Sequence, residues 1–226
     1  MKDGPHITGI AALIGERARA DILTALLGGQ ALTATELAQV ADVTKQTTSA
    51  HLAKLVDGGL VVVESQGRHR YFRLADDDVA ELLEGIMGVA YRTGAVRLKS
   101  SPREPALRKA RVCYDHLAGE LGVFIFERFQ QRRFVRHGDR GLELAPAGER
   151  FCAALGIDPE AHRNPRRSAC RLCLDWSVRR HHLAGTVGAA LLERFYSLGW
   201  AKREPGTRVV RFSAAGERAL RESLAG

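Results

Sequence analysis

Long apolar runs are missing from this 226-residue chain. No stretch approaches the roughly 18 consecutive apolar residues that a membrane-spanning helix needs. The first apolar stretch, Ile7 to Ile14, is too short for a secretory signal, and no small-residue cleavage pattern follows it. A cytoplasmic location without membrane partners is expected. Cysteine is scarce: Cys113, Cys152, Cys170 and Cys173 are the full set. In a cytosolic chain four cysteines read as thiols or metal ligands rather than as a disulfide framework. Enzyme signatures are lacking as well, with no glycine-rich phosphate loop, no HExxH and no GxSxG. Cys113, Asp115 and His116 can be written as nucleophile, orienter and base. The same trio recurs further on, however, and a catalytic pair seldom exists in two equivalent copies. The chain is read as a non-enzyme.

With 45% hydrophobic residues the chain buries real cores. Its length suits two domains of about 100 residues each. The net charge is +8, which suggests a polyanionic partner, but it is unevenly spread: residues 1–91 hold 8 Lys and Arg against 12 Asp and Glu, and residues 92–226 hold 26 against 14. Within the acidic first part, the window 44–73 is locally basic, with Lys45, Lys54, Arg68, Arg70 and Arg73 against Asp57 and Glu64. Phosphate contact needs such a local surplus. The basic second half reads as a solvated surface, as extra phosphate contacts, or as a site for an anionic effector.

The residues from Thr35 to Leu60 read as helix, tight turn, helix and entry into a strand. Thr33 with Glu36 forms a capping box for the first of these helices, and Asp42-Val43-Thr44 makes the turn. Thr44 caps a second helix in which Thr48, Leu52 and Leu55 recur at i, i+4 and i+7 and face inward. Gly58-Gly59 ends it. Helices are also expected over Pro5–Ile14 and Glu16–Leu27. Leu60–Glu64 and His69–Leu74 form two strands around the turn Ser65-Gln66-Gly67-Arg68, a wing with Arg68 and Arg70 near its tip. A last helix runs from Asp76 to about Tyr91, its first turn acidic.

This order, and the lines ARADILTALLGGQALTATELAQVADVTKQTTSAHLAKLVDGGLVV and SQGRHRYFRL, resemble the ArsR/SmtB family of winged helix-turn-helix repressors over nearly all of residues 5–91. The resemblance implies a homodimer in which the first and last helices pack on their symmetry mates. It also implies recognition helices in successive major grooves of a pseudo-palindromic double-stranded DNA operator, with half-sites about 34–36 Å apart. Carried over, Lys45, Gln46, Thr47 and Ala50 fall on base-facing positions, and Ser49, His51 and Lys54 on backbone-facing ones. Gln46 is the candidate for bidentate adenine contact, and His51 is alternatively a helix-packing residue. Two departures matter. The helix before the turn reads ELAQVA where many relatives carry a metal-binding cysteine, and the last helix has acidic residues but no histidine. Any sensing must then come from the rest of the chain.

A basic, linker-like stretch (residues 92–109) leads into a duplication over 110–226, with repeats at about 110–160 and 170–226. HLAGELG from His116 returns as HLAGTVG from His182, RVCYD from Arg111 as RLCLD from Arg171, and AGER from Ala147 as AGER from Ala215. The second copy carries about six extra residues, around 176–181. Blocks CYDHLAGELGV and CLDW…HLAG look like an extension found in a subset of ArsR-like regulators. Each copy reads strand, helix, hairpin, helix, with helices expected over His116–Phe129 and His182–Tyr196. The fold class is therefore mainly α with small β wings (α+β): an N-terminal winged helix-turn-helix and a C-terminal domain of two strand-helix-hairpin-helix repeats.

Glycine inside a helix costs about 1 kcal/mol relative to alanine. Its repetition, Gly119 and Gly122 and then Gly185 and Gly188, predicts close helix crossing on a pseudo-twofold axis. Such a crossing brings His116 and His182 to one seam, with Cys113 and Cys173 just upstream. Thiolate and imidazole together suit zinc or another thiophilic ion in tetrahedral geometry, with Asp115 and Asp175 orienting the histidines. Two other readings stay open. The groups are structural, or Cys170-Arg-Leu-Cys173 amid Arg166, Arg167 and Arg171 is a redox switch with depressed thiol pKa. Cys152, in an apolar helix, reads as core. The leading functional reading is a dimeric, sequence-specific transcriptional repressor whose DNA affinity is altered by an effector, a metal ion first, at the C-terminal domain. A thiol-redox or small-molecule-responsive regulator and a constitutive architectural DNA-binding protein are the alternatives.

Overall fold

Local caps decide where the chain turns. The computed structural model describes residues 4–95, 105–138, 141–158, 167–175, 177–205 and 207–225, which divide between two compact units, 1–85 and 86–226. In the first unit, α1 (Ile7–Ile14) precedes α2 (Arg17–Leu26), whose start is fixed by Glu16 accepting from the backbone N–H of Ala18 and Arg19. After the short strand β1 (Leu32–Thr33), the predicted capping box forms. The Thr33 hydroxyl accepts from the N–H of Glu36 and the Glu36 carboxylate accepts from the N–H of Thr33, opening α3 (Ala34–Ala41). Asp42, in the left-handed region at φ 54°, turns the chain. Thr44 then caps α4 (Lys45–Asp57), and Thr48, Leu52 and Leu55 are buried as their spacing predicts.

The wing is β2 (Val61–Gln66) paired antiparallel with β3 (His69–Leu74). Gln66 pairs with His69, so the turn is only Gly67-Arg68, tighter than the four-residue turn the sequence suggests. With β1 on the other side of β3, this makes a three-stranded sheet. The long helix α5 (Asp77–Arg92) follows and crosses the boundary between the units.

Residues 96–104 of the predicted linker lie outside the described residues, and its end, Pro105–Lys109, is helical (α6). Two equivalent modules follow. The first comprises β4 (Arg111–Cys113), β5 (His116–Ala118), α7 (Glu120–Gln131), β6 (Val135–Gly138), β7 (Gly141–Leu144) and α8 (Pro146–Ala154). The second comprises β8 (Arg171–Asp175), β9 (Arg180–Ala184), α9 (Thr186–Ser197), β10 (Ala201–Arg203), β11 (Val210–Phe212) and α10 (Ala214–Ser223). Each module is therefore hairpin, helix, hairpin, helix.

The expected helices over His116–Phe129 and His182–Tyr196 begin four residues late. Their first residues are strands, and the repeated glycines are the physical reason. Gly119 and Gly185 sit at φ 86° and 88°, a backbone region that L-residues rarely adopt, and carry the chain from strand into helix. They are helix caps rather than mid-helix glycines. Gly122 and Gly188 lie in the first turn of α7 and α9. A Cβ at Gly122 would stand 2.4 Å from the Leu117 carbonyl oxygen and 3.5 Å from the Cβ of His182. At Gly188 the corresponding distances are 2.5 Å to the Leu183 oxygen and 3.3 Å to the Cβ of His116. Each helix thus seats on the hairpin of the other module, α7 on β9 and α9 on β5. A single apolar core joins the modules: Phe129 meets Phe134 and Phe151 edge-on, and Phe195 stacks on Trp200 and meets Phe212 edge-on.

Candidate functional site

The exchange of hairpins builds a four-donor cluster. In β4–β5 the register places Cys113 opposite His116, across the two-residue turn Tyr114-Asp115 with Tyr114 at φ 60°. In β8–β9 it places Cys173 opposite His182. Because each hairpin underlies the other module's helix, the two Cys–His pairs face one another. Their ligand atoms all lie within 4.8 Å of one another. His116, His182 and Cys173 are buried, and Cys113 is of intermediate exposure.

The donors fit a tetrahedral ion. Zinc–nitrogen bonds of about 2.0–2.1 Å at the tetrahedral angle set two nitrogens about 3.3–3.4 Å apart. The Nε2 atoms of His116 and His182 already stand 3.1 Å apart. Binding therefore needs shifts of tenths of an ångström at the histidines. Cys113, His116, Cys173 and His182 would hold such an ion, two donors from each module. Its positive charge would stabilise the thiolates.

Carboxylates support both histidines from behind. Asp115 lies 3.1 Å from Nδ1 of His116 and accepts from Arg167 at 2.5 Å. Burial alone would raise the Asp115 carboxyl, but His116 and Arg167 outweigh it and hold it below its ordinary value. Asp175 is wholly buried and saturated. One oxygen accepts from the N–H of Gly119 at 2.6 Å and from Arg111 at 3.0 Å. The other accepts from the N–H groups of Ser177 and Val178 and from the Ser177 hydroxyl, which shapes the longer turn of the second hairpin. Burial opposes its charge too, and Arg111, His182, Ser177 and Gly119 together keep it below the ordinary carboxylate value. Burial pushes His182 down, favouring the neutral imidazole that ligates metals.

The thiols fall into two classes. A hydrogen bond from Cys173 holds Cys113 well below the ordinary thiol value against the effect of burial, with His116 and His182 adding to it. Cys152 is pushed up to about 11 and Cys170 to about 12, in both cases chiefly by burial. Cys170 belongs to the apolar core with Cys152, while Cys173 belongs to the four-donor cluster. Arg166 lies outside the described residues. In metal-free protein at about pH 8, iodoacetamide should therefore modify Cys113 well before Cys152 or Cys170, because only thiolate attacks. Peptide mass spectrometry checks this, and equal early labelling of Cys170 and Cys113 contradicts it.

On the reader, Lys45, Gln46, Thr47, Ser49, Ala50 and Lys54 are exposed on α4, and Arg68 and Arg70 are exposed on the wing. The Ser49 hydroxyl donates to the Lys45 carbonyl of its own helix, and Arg70 lies over the Phe72 ring. His51 is the exception: it turns inward, 3.6 Å from Glu16 and 3.5 Å from Arg19 at the start of α2. That is the helix-packing placement.

Sequence reasoning missed the part played by Arg111 toward Asp175, and it set Arg167 beside the CxxC rather than against Asp115. An arginine between Ala110 and Val112, at the inward-facing start of a strand, is the signal for the first of them.

Comparison with known proteins places these features. A family profile described as a helix-turn-helix domain matches residues 14–64. Over 220 residues, the chain is 40% identical to YdfF of Bacillus subtilis strain 168, described as an uncharacterized HTH-type transcriptional regulator, with 97% of each chain covered. Among solved structures, a homodimeric winged helix-turn-helix DNA-binding domain, Mb0332 of Mycobacterium bovis, is 26% identical, with 40% of this chain and 90% of that one covered and a TM-score of 0.35. The cadmium sensor CMTR of Mycobacterium tuberculosis is 30% identical, with 37% and 85% covered and a TM-score of 0.33.

Proposed function

The chain belongs to the HTH-type transcriptional regulators, and we propose that it is a dimeric repressor whose DNA affinity changes when a thiophilic metal ion occupies the four-donor centre of its second unit. The convergence of Cys113, His116, Cys173 and His182 within 4.8 Å carries this reading. Two thiols and two imidazoles are the donor set of a borderline-to-soft ion. On the reader, Gln46 at the exposed start of α4 is the base-reading residue, with Lys45, Thr47 and Ala50 beside it. Ser49, Lys54, Arg68 and Arg70 are the phosphate-side contacts. A dimer is favoured by the apolar residues left exposed on α1 and α5: Ile7, Leu82, Ile86 and Val89.

A second reading is favoured by the hydrogen bond between the Cys113 and Cys173 thiols. The same pair, oxidised to a disulfide by a peroxide, would make the centre a redox switch.

One experiment separates the two. Purified protein is assayed for bound metal, and its operator affinity is titrated with zinc, with chelator and with peroxide. Zinc is expected to change DNA affinity by about 5–150-fold, the usual span of allosteric coupling, and chelator to reverse it. Gln46→Ala should weaken operator binding by about 1–3 kcal/mol and leave metal content unaltered. DNA affinity indifferent to zinc and responsive to peroxide would replace the metal reading with the redox one.

A further inference from the structure

His116 and His182 occupy equivalent positions in the two modules, yet they are held differently. Nδ1 of His116 lies 3.1 Å from Asp115, itself fixed by Arg167. Its proton therefore sits on Nδ1, and the Nε2 lone pair already faces the centre. Nδ1 of His182 is buried without a hydrogen-bond partner among the described residues. The carboxylate behind it, Asp175, stands 3.8 Å away, with that same oxygen engaged by Gly119 and Arg111. The 3.1 Å contact between the two Nε2 atoms needs one proton. With the His116 proton drawn to Nδ1 by Asp115, the proton of this contact is assigned to Nε2 of His182. In that state His182 cannot ligate through Nε2.

We propose that the two histidines are unequal ligands: Cys113, Cys173 and His116 form a ready three-donor set, and His182 joins only for an ion that requires four. This rests on the metal-effector reading above. A monovalent soft ion such as Cu⁺ is satisfied by two thiolates and one imidazole. A tetrahedral divalent ion such as Zn²⁺ or Co²⁺ needs the fourth donor. For it, the His182 proton moves from Nε2 to Nδ1 and is donated to Asp175, and the ring stays neutral. Each ligating thiol releases its proton to solvent. Asp175 then shares the oxygen that holds the N-terminus of α7 through Gly119 and the buried Arg111. A four-coordinate ion thereby reaches the first turn of α7, and a three-coordinate ion does not. The centre distinguishes ions by coordination number, with His182 as the specificity-determining residue and Asp175 as its positioning partner.

The test uses the full chain and two probe ions. Affinities for Co²⁺ and, under reducing anaerobic conditions, for Cu⁺ are measured by competition with chromophoric chelators. The proteins compared are wild type, His116→Asn and His182→Asn. Co²⁺ affinity should fall by about 100-fold or more in both variants, and the intense visible bands of tetrahedral Co²⁺ should disappear. Cu⁺ affinity should fall in His116→Asn and stay at the wild-type value in His182→Asn. Equal loss of Cu⁺ in both variants, or Co²⁺ binding unchanged in His182→Asn, overturns the proposal. Should His116→Asn fail to fold, Asp115→Asn removes the group that aims His116 without touching a donor. It should lower Cu⁺ affinity by about 10–100-fold, and an unchanged value overturns the proposal as well. Wild-type protein that binds neither ion is a different failure, since it removes the metal-effector reading itself.

Discussion

Asp175→Ala is expected to lose about 3–5 kcal/mol of stability, the range for breaking a fully buried ion pair from one side. A typical domain is stable by only about 5–15 kcal/mol, so much of the second unit's stability goes with this one carboxylate. The loss has two sources. Arg111, as buried as Asp175, loses this counter-ion while its charge stays desolvated. The N–H groups of Gly119, Ser177 and Val178 lose their acceptor, which unfastens the cap of α7 and the turn of the second hairpin. The two contributions are separable. Adding Arg111→Met to Asp175→Ala removes the stranded charge but not the three unanswered N–H groups, so it should recover part of the loss and not all of it. Urea unfolding followed by tryptophan fluorescence reads the effect through Trp200, stacked on Phe195. A variant with Asp175→Ala that unfolds at the wild-type midpoint would mean that solvent reaches this pair and that its burial is not maintained in solution.

The reader was legible in the sequence because its signals are local. Thr33 with Glu36 and Thr44 with Thr47 are caps made within one turn, and Thr48, Leu52 and Leu55 lie at helical spacing on one element. His51 was ambiguous for the opposite reason. Its partners, Glu16 and Arg19, are more than thirty residues away. The cluster of the second unit was legible through its duplication, although the local structure inferred for it was wrong. Two copies of a Cys–His pair related by a pseudo-twofold axis meet at that axis whether the histidine begins a helix or ends a hairpin. The hairpin itself left little trace. Its turn is Tyr114-Asp115, with no Asn-Gly or Asp-Gly to announce it, and its strands are three residues long. Reading Gly119 as a mid-helix glycine followed from that, and its positive φ was the information missing. Asp175 was assigned a supporting role toward His182, but its partnership with Arg111 spans 64 residues and two modules. No pattern of spacing within either repeat encodes it.

Cys113→Ser combined with Cys173→Ser is expected to abolish ion binding in the micromolar range and, with it, the response of DNA binding. Four-ligand zinc sites are worth about 10–16 kcal/mol near neutral pH. Losing two of four donors, shared evenly, removes about 5–8 kcal/mol, on the order of four decades of affinity or more. Serine keeps the shape of cysteine, but its hydroxyl does not ionise near neutral pH and is a poor match for a soft ion. Basal DNA affinity should be unaltered, because Gln46, Lys54 and Arg68 belong to the first unit and all four donors to the second. Cys152→Ser with Cys170→Ser is the informative contrast. It removes the same number of thiols from the same unit but places two hydroxyls in the apolar core, where Cys152 and Cys170 are almost entirely buried. That pair should lower the unfolding midpoint and leave ion affinity and DNA response as in wild type. If both double variants lose the response equally, the response tracks the stability of the second unit rather than occupancy of the four-donor centre. If only the first loses it, the four donors are where the signal enters.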